Sequence, residues 1–453
     1  MGAILEKINA VVWGAPALIG ILGVGLYLTV RTGFPQIRFF PDAMKVFLSS
    51  FSRKKKEAGG VSQFQALCTA LAATVGTGNL AGVAGAMAIG GPGAIFWMWV
   101  CAVLGMVTKF AEATLALRYR IKDGNGEWVG GPMYMIQQGM GKRWRFLAGI
   151  YSFFGIVAAF GVGNATQVNA MVGGVNQVIT AFGGKETLEI DLLMGVILSV
   201  LMCGILLGGM AKIGQMAEKM VPLASVCYLL LGFGVLIARM QNIPQAFQAI
   251  VQGAFAPRAV TGGAIGSLFL ALRVGVSRGV FTNEAGMGTA GIAHAAANVS
   301  HPVKQGLMGI MEVFLDTIVI CTMTALVILV SGVDIPYGID AGVNLTSRAF
   351  SCVYGDWVSV LIAAALCCFA IATVLGWGLY GARCAQYIFG AGAWKKFVYL
   401  QGAVIIAAAV LKTGTVWLLS ETVNGLMAIP NLIALTALSP ELTRLVKEYR
   451  TVI

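Results

Sequence analysis

Two glycine-interrupted stretches hold the residues best suited to chemistry. The first reads Leu71-Ala72-Ala73-Thr74-Val75-Gly76-Thr77-Gly78-Asn79-Leu80, near the centre of an apolar run that should otherwise be continuous helix. Each glycine weakens a helix by about 1 kcal/mol relative to alanine, and here two fall within three positions. Unwinding frees backbone N–H and C=O groups, which hydrocarbon tolerates only where they line a cavity or bind something. A half-helix starting after Gly78 presents free N–H groups and a positive dipole end, a setting for a carboxylate. The carbonyls released from Ala72 to Val75 are hard oxygen ligands suited to Na+. A second stretch repeats the anomaly about 200 residues later, from Arg273-Val274-Gly275-Val276-Ser277-Arg278-Gly279-Val280-Phe281 through Thr282-Asn283-Glu284-Ala285-Gly286-Met287-Gly288. Elsewhere, Ala370 and Thr373 place a carbonyl and a hydroxyl at i, i+3 on one helical face, a candidate partner for the ion. The plain alternative is that Thr373 bonds back to its own helix, as a lone threonine in a span usually does.

The elements that must position these residues are membrane helices. Of 453 residues, 58% are hydrophobic and 11% charged, against about 25% charged in a soluble domain. That balance excludes a soluble enzyme, a nucleic-acid-binding module and a disordered chain. Apolar runs predict eleven spans, at 11–30, 63–90, 93–117, 147–180, 190–210, 220–238, 262–297, 305–331, 356–389, 397–411 and 415–437. The net charge of +12 then reflects loop placement. With the N-terminus outside, the inside loops and C-terminal tail hold 21 Lys/Arg and the outside holds 6, namely Lys7, Lys185, Arg239, Arg258, Arg348 and Lys412. The positive-inside rule therefore puts the N-terminus outside and the C-terminus in the cytoplasm. The run at residues 53–56 reads as a topology signal, and the segment from Glu127 to Gly141 as an interfacial helix. The nine cysteines are scattered, odd in number and mostly within apolar runs, so they read as packing residues rather than a disulfide framework. No cleavable signal peptide is expected.

Each interruption alone is equally well a close helix–helix contact of the small-residue kind. As a pair they say more, because they fall in spans two and seven, the first helices of two five-helix halves. The predicted organisation is an extra N-terminal helix and basic loop (1–62), a first repeat (63–238), an inverted second repeat (262–437) and a cytoplasmic tail (438–453). Discontinuous helices in such a repeat place a site at the midplane.

The stretch Gly90-Gly91-Pro92-Gly93-Ala94-Ile95-Phe96-Trp97-Met98-Trp99-Val100-Cys101-Ala102-Val103-Leu104-Gly105 resembles the signature of the alanine/glycine:cation symporter family, within the amino acid–polyamine–cation superfamily. Ala72 to Asn79 and Arg278 to Gly286 resemble it too, and the likeness runs through the whole chain. It implies a leucine-transporter-type fold and sodium-coupled uptake of alanine or glycine across the cell membrane. Carried over by position, Thr77 and Gly78 are implied to hold the substrate carboxylate. The Ala72 and Val75 carbonyls, with Ala370 and Thr373, are implied to hold Na+. Gln167, the 276–281 break (Val276, Val280, Phe281) and Trp377 are implied to cover the amino group and small side chain. Phe281 and Trp377 also read as plain core aromatics. Asn79, with Thr74, is a second-cation candidate or else the cap of the half-helix. The segment from Gly163 to Asn169 departs from the family pattern in its middle.

Charges within spans default to functional readings. Lys109 and Glu112 sit at i, i+3 and Glu312 and Asp316 at i, i+4, with Arg273, Arg278, Glu284, Arg383 and Glu421 elsewhere. Gating ion pairs are the expected role. A proton-coupled carrier is the alternative and would need a carboxylate such as Glu112 near the site. A channel would need rings of like charge, and a membrane enzyme a nucleophile–base or metal set; neither is visible with two histidines in the chain. The expected partners are thus a small amino acid and the bilayer, with no nucleic acid and no obligatory protein partner.

Overall fold

Long apolar segments between polar, glycine-rich turns become helices, and the helices pack on one another through small residues. The computed structural model describes residues 8–9, 11–52, 61–124, 126–263, 267–339, 342–411 and 414–452. The basic run at 53–56 and Lys412 lie outside the described residues, as does the Glu421 side chain. In chain order the principal helices are α1 (Ala15–Thr32), α2 (Phe40–Ser52), α3 (Gln63–Thr74), α4 (Val83–Gly90), α5 (Gly93–Arg118), α6 (Arg145–Phe160) and α7 (Thr166–Ala181). Next come α8 (Leu188–Leu206), α9 (Gly209–Ala238), α10 (Ile243–Phe255), α11 (Leu268–Asn283), α12 (Thr289–His294) and α13 (Pro302–Val313). The last are α14 (Thr322–Ser331), α15 (Gly342–Tyr354), α16 (Val358–Phe389), α17 (Ala393–Val410), α18 (Gly414–Ala437) and α19 (Ser439–Val452).

Among the described residues, eight helical segments are long and apolar enough to cross a membrane, or ten if two bent pairs each count as one span. One bent pair is Gln63–Thr74 with Gly78–Gly90, which meet at 52°. Ser62 starts this span with a capping box, its hydroxyl accepting from the Gln65 N–H while the Gln65 side chain accepts from the Ser62 N–H. Val75 then turns extended (φ −78°, ψ 93°) and α3 stops. A wide five-residue turn, Gly78–Gly82, leads into α4.

The expected seventh span behaves differently. The helix runs unbroken from Leu268 to Asn283, and the interruption follows at Glu284 (φ 54°), Gly286 (φ 96°) and Gly288 (φ 77°) before α12 begins. The break therefore lies at 284–288 and not at 276–281. The glycines within α11 serve contact instead. A Cβ on Gly275 would stand 2.3 Å from the Ala94 carbonyl oxygen and one on Gly279 would stand 3.3 Å from Cys101 Cβ, so α11 lies tightly on α5. Split this way, neither piece is long enough to be counted as a span by itself. The expected interfacial helix at 127–141 is also corrected. Its first residues pair as a short antiparallel hairpin, Ile121 opposite Val129 and Lys122 opposite Trp128, and helical turns begin only at Pro132. Gly131, with φ 120°, ends the hairpin.

α5 forms a central wall against α11 and α13, while α16 packs on α3, α6, α7 and α9. The α5 N-terminus makes the closest backbone approach. A Cβ on Gly93 would fall 2.1 Å from the Gly253 carbonyl carbon and oxygen on α10. Backbone cannot yield as a flexible side chain does, and overpacking typically destabilises by about 1–3 kcal/mol. Gly93→Ala is accordingly expected to lower the thermal midpoint of the purified protein by several degrees. Gly23→Ala, where nothing lies within 4 Å of the added atom, should leave it in place. Equal melting of the two variants would contradict this packing.

Candidate functional site

The two interruptions converge on a narrow internal cavity lined by Ala73, Thr74, Gly76, Gly78, Val162, Gln167, Phe281, Glu284, Thr373 and Trp377. Six elements contribute: the end of α3, the turn after it, the loosened turn between α6 and α7, the start of α7, the end of α11 with its break, and α16. Gly78 touches α11 directly, since a Cβ there would meet Thr282 Cγ2 at 2.9 Å and Phe281 Cδ1 at 3.5 Å.

At the first interruption, a helix end leaves its last carbonyls without intrahelical partners. Gly76 turns its N–H to Asn79 Oδ1 (2.9 Å) instead of back to the Ala72 carbonyl. The Asn79 amide donates onward to Asp316 Oδ1 (2.6 Å), on the wide turn Phe314–Cys321 between α13 and α14. Asn79 is thus committed to bracing the turn. Thr74 spends its hydroxyl on Ala70 and Leu71 carbonyls, both at 3.3 Å, within α3. The Thr77 N–H reaches Gln167 Oε1 at 3.4 Å, and Gln167 Nε2 donates to the Val162 carbonyl at 3.1 Å. The Thr77 hydroxyl is buried and unpartnered.

α16 supplies the facing wall. The Thr373 hydroxyl donates to the Phe369 carbonyl (3.0 Å), which leaves its oxygen lone pairs free. It lies against Gly76, where an added Cβ would be 2.6 Å from Oγ1. Ala370 is buried one turn earlier. Trp377 closes on the α6–α7 turn, 2.1 Å from where a Gly163 Cβ would stand, and its Nε1 donates to Glu284 Oε1 (2.8 Å). Val276 and Val280 are buried on α11, but neither is among the residues that line the cavity. Ala73, Gly76, Val162 and Glu284 line the cavity without having been expected there, and Glu284 is the charged one among the lining residues. Its signal was a carboxylate set directly before the Gly286 and Gly288 pair.

Some of the buried charges pair between elements. Lys109 Nζ binds Glu312 Oε1 at 2.9 Å, and Glu312 Oε2 meets His294 Nε2 at 3.0 Å, all three fully buried. Gln305 Nε2 in turn lies 2.8 Å from His294 Nδ1. Glu112 does not pair with Lys109. Its Oε1 accepts from the Gly286 N–H (2.9 Å), the Gly288 N–H (3.0 Å) and Asn431 Nδ2 (2.8 Å), so it braces the second interruption and does not line the cavity. At the α16 end, Arg383 joins Glu127 (2.9 Å) and Asp123 (3.4 Å) of the hairpin.

Interrupted helices that meet around a small internal cavity recur in membrane carriers. The chain belongs to the sodium:alanine symporter family, whose model matches residues 1–453. It is 42% identical to the sodium/alanine symporter AgcS of Methanococcus maripaludis, covering 96% of this chain and 94% of that one. It is 38% identical to the probable sodium/glutamine symporter GlnT of Bacillus subtilis, covering 99% and 91% respectively. In fold it is similar to MhsT in complex with L-phenylalanine (TM-score 0.58, 14% identity, 85% of this chain and 98% of that one). It is also similar to Mhp1, a nucleobase-cation-symport-1 family transporter (TM-score 0.54, 13% identity, 86% and 78%).

Removing one member of a buried ion pair strands the other and typically costs about 3–5 kcal/mol. Lys109→Met should therefore melt well below wild type, and Lys109→Met/Glu312→Gln should regain part of the loss. Thermal melts that rank the double variant below the single one would count against the pairing.

Proposed function

We propose that this protein is a secondary active symporter that couples Na+ entry to uptake of small neutral amino acids, alanine and glycine, by alternating access. The observation that carries the reading is the enclosed cavity where the turn at Gly76–Gly78 meets Gln167, Phe281, Thr373 and Trp377. The substrate carboxylate sits at the Thr77 and Gly78 amides. Gln167, Phe281 and Trp377 bound the remaining space, a cavity of only about 10 Å³ in this arrangement, so these walls must part to admit even alanine and large side chains are disfavoured, while Val276 and Val280 back the wall from α11. Na+ sits among the Ala72 and Val75 carbonyls, Ala370 and Thr373, tying the first interruption to α16. The name of the Methanococcus relative supports both the ion and the substrate class. Asn79 and Thr74 form the secondary cation candidate, although both side chains are already hydrogen-bonded. In this reading the chain crosses the cell membrane eleven times, as an extra helix (1–62), a first five-helix repeat (63–238), its inverted partner (262–437) and a cytoplasmic tail (438–453). The N-terminus is outside, as the loop charges favour. Proton coupling through Glu112 is less well supported, because backbone amides already occupy one of its oxygens.

Na+ moving down a tenfold gradient releases ~1.4 kcal/mol, and its charge crossing 100 mV adds about 2.3 kcal/mol. Together these would support roughly 500-fold accumulation of a zwitterion at one ion per substrate. Coupling requires ion and substrate to favour the same state, and the effect is reciprocal. Thr373→Ala removes one hard oxygen. It should raise the sodium concentration for half-maximal alanine uptake into proteoliposomes about tenfold or more, with Thr373→Ser retaining most of the coupling. Unaltered sodium dependence in Thr373→Ala would place the ion elsewhere. Gly78→Val should abolish alanine binding in protein that still inserts and elutes as a single species, because its side chain must enter the space beside Thr282 and Phe281. Wild-type affinity in that variant would make the turn a packing feature only.

A further inference from the structure

Glu284 sits in a backbone conformation that its side chain does not favour. Its φ of 54° places it in the left-handed region at the end of α11, where its N–H still bonds the Val280 carbonyl at 2.8 Å. Glycine or asparagine is the usual residue at such a helix end. A non-glycine residue kept there against strain points to a use for its side chain. The carboxylate lines the cavity and is 2% exposed. Its two oxygens accept from Trp377 Nε1 (2.8 Å) and Thr289 Oγ1 (2.5 Å), both neutral donors. Among the described residues no cationic side chain lies within ion-pair distance of it, and Lys109, the buried amine nearby in the network, is paired with Glu312. A buried carboxylate whose bonded donors are both neutral has no directly bonded counter-charge.

In the symport reading the donor pole is the Thr77–Gly78 turn, of which Gly78 lines the same cavity as Glu284 and the Thr77 N–H reaches Gln167 Oε1 at 3.4 Å. We propose that Glu284 is the recognition group for the substrate's ammonium, so that the cavity presents a donor pole and a carboxylate pole matched to an α-amino acid zwitterion. This rests on the symport reading above and adds a residue and a discrimination to it. The selected ligand carries a cationic nitrogen on the carbon next to its carboxylate. A 2-hydroxy acid of the same size meets the donor pole but offers the Glu284 carboxylate no charge. Trp377 and Thr289 hold the carboxylate in position, so it arrives preorganised.

The test uses the full-length protein in detergent at saturating sodium, with radiolabelled L-alanine as ligand and unlabelled L-lactate as competitor. Wild type should prefer alanine over lactate by at least about a hundredfold. Glu284→Gln, which keeps shape and hydrogen bonding, should lose most of that preference by weakening alanine while leaving lactate competition in place. Glu284→Asp should keep a preference for alanine. Lactate competing within a few-fold of alanine in wild type overturns the proposal without any variant, so a misfolded Glu284→Gln protein cannot shelter it. Unchanged alanine affinity in Glu284→Gln overturns it as well. So does an unchanged alanine-over-lactate ratio accompanied by weakened sodium binding, which would make Glu284 an ion ligand. No alanine binding to wild type at all overturns the symport reading together with this inference. Alanine binding to wild type, with undiminished affinity in Glu284→Gln, overturns this inference alone.

Discussion

Every backbone N–H and C=O exposed by an interrupted helix must find a partner when no water surrounds the helix, and most of the unusual side chains here answer that demand. At the first interruption Asn79 folds back to the Gly76 N–H and is itself held by Asp316. At the second, Glu112 reaches from α5 to take the Gly286 and Gly288 N–H groups, and Asn431 of α18 closes the arrangement on the Gly286 carbonyl at 2.9 Å. Local side chains complete only part of each interruption, Asn79 at the first and Asn283, whose Oδ1 accepts from the Ala285 N–H at 3.0 Å, at the second. Each is held by polar side chains from elements that pack around it, so the shape of the turns and the packing of the bundle are set together.

Part of this was legible in the sequence because some residues have few alternatives. Glycines on either side of Thr77, followed by Asn79, in an apolar run mark an unwound segment. Ala370, Thr373 and Trp377 share a face by simple helical spacing, and all three are buried on α16. The second interruption was placed too early because glycine has two uses. Gly275 and Gly279 allow α11 to lie against α5, whereas Gly286 and Gly288 supply positive φ. Composition alone cannot separate a glycine chosen for its missing side chain from one chosen for its backbone. That distinction needs the partner helix.

Charges were harder to read for a related reason. Lys109 and Glu112 have the spacing of a local pair, and in water that proximity would have been a fair basis for joining them. Inside the bundle the choice of partner follows which helices face each other. Lys109 is directed to Glu312 on α13, and Glu112 to the turn beyond α11. The His294 link to Glu312 adds the short helix α12 to the same group. Sequence spacing shows which residues share a face, and long-range packing decides what that face meets.

α16 has a particular place in the arrangement because it contacts both interruptions with one face. Thr373 lies against Gly76 of the first, and Trp377, one turn later, binds Glu284 of the second. A helical turn is a rigid spacer of about 5.4 Å, so any shift of α16 relative to the bundle displaces both contacts at once. In the symport reading that geometry has a thermodynamic consequence. An ion that fixes Thr373 against the first turn also restricts where Trp377 can hold Glu284, and a substrate between the poles restricts α16 from the other end. Each ligand then favours the arrangement that suits the other by the same free energy. The coupling needs no path beyond one helical turn, and it is strongest when the cavity leaves no slack between the walls. The tight approach of Trp377 to Gly163 and of Gly376 to Ala73, where an added Cβ would meet Ala73 at 2.8 Å, removes that slack where α16 walls the cavity.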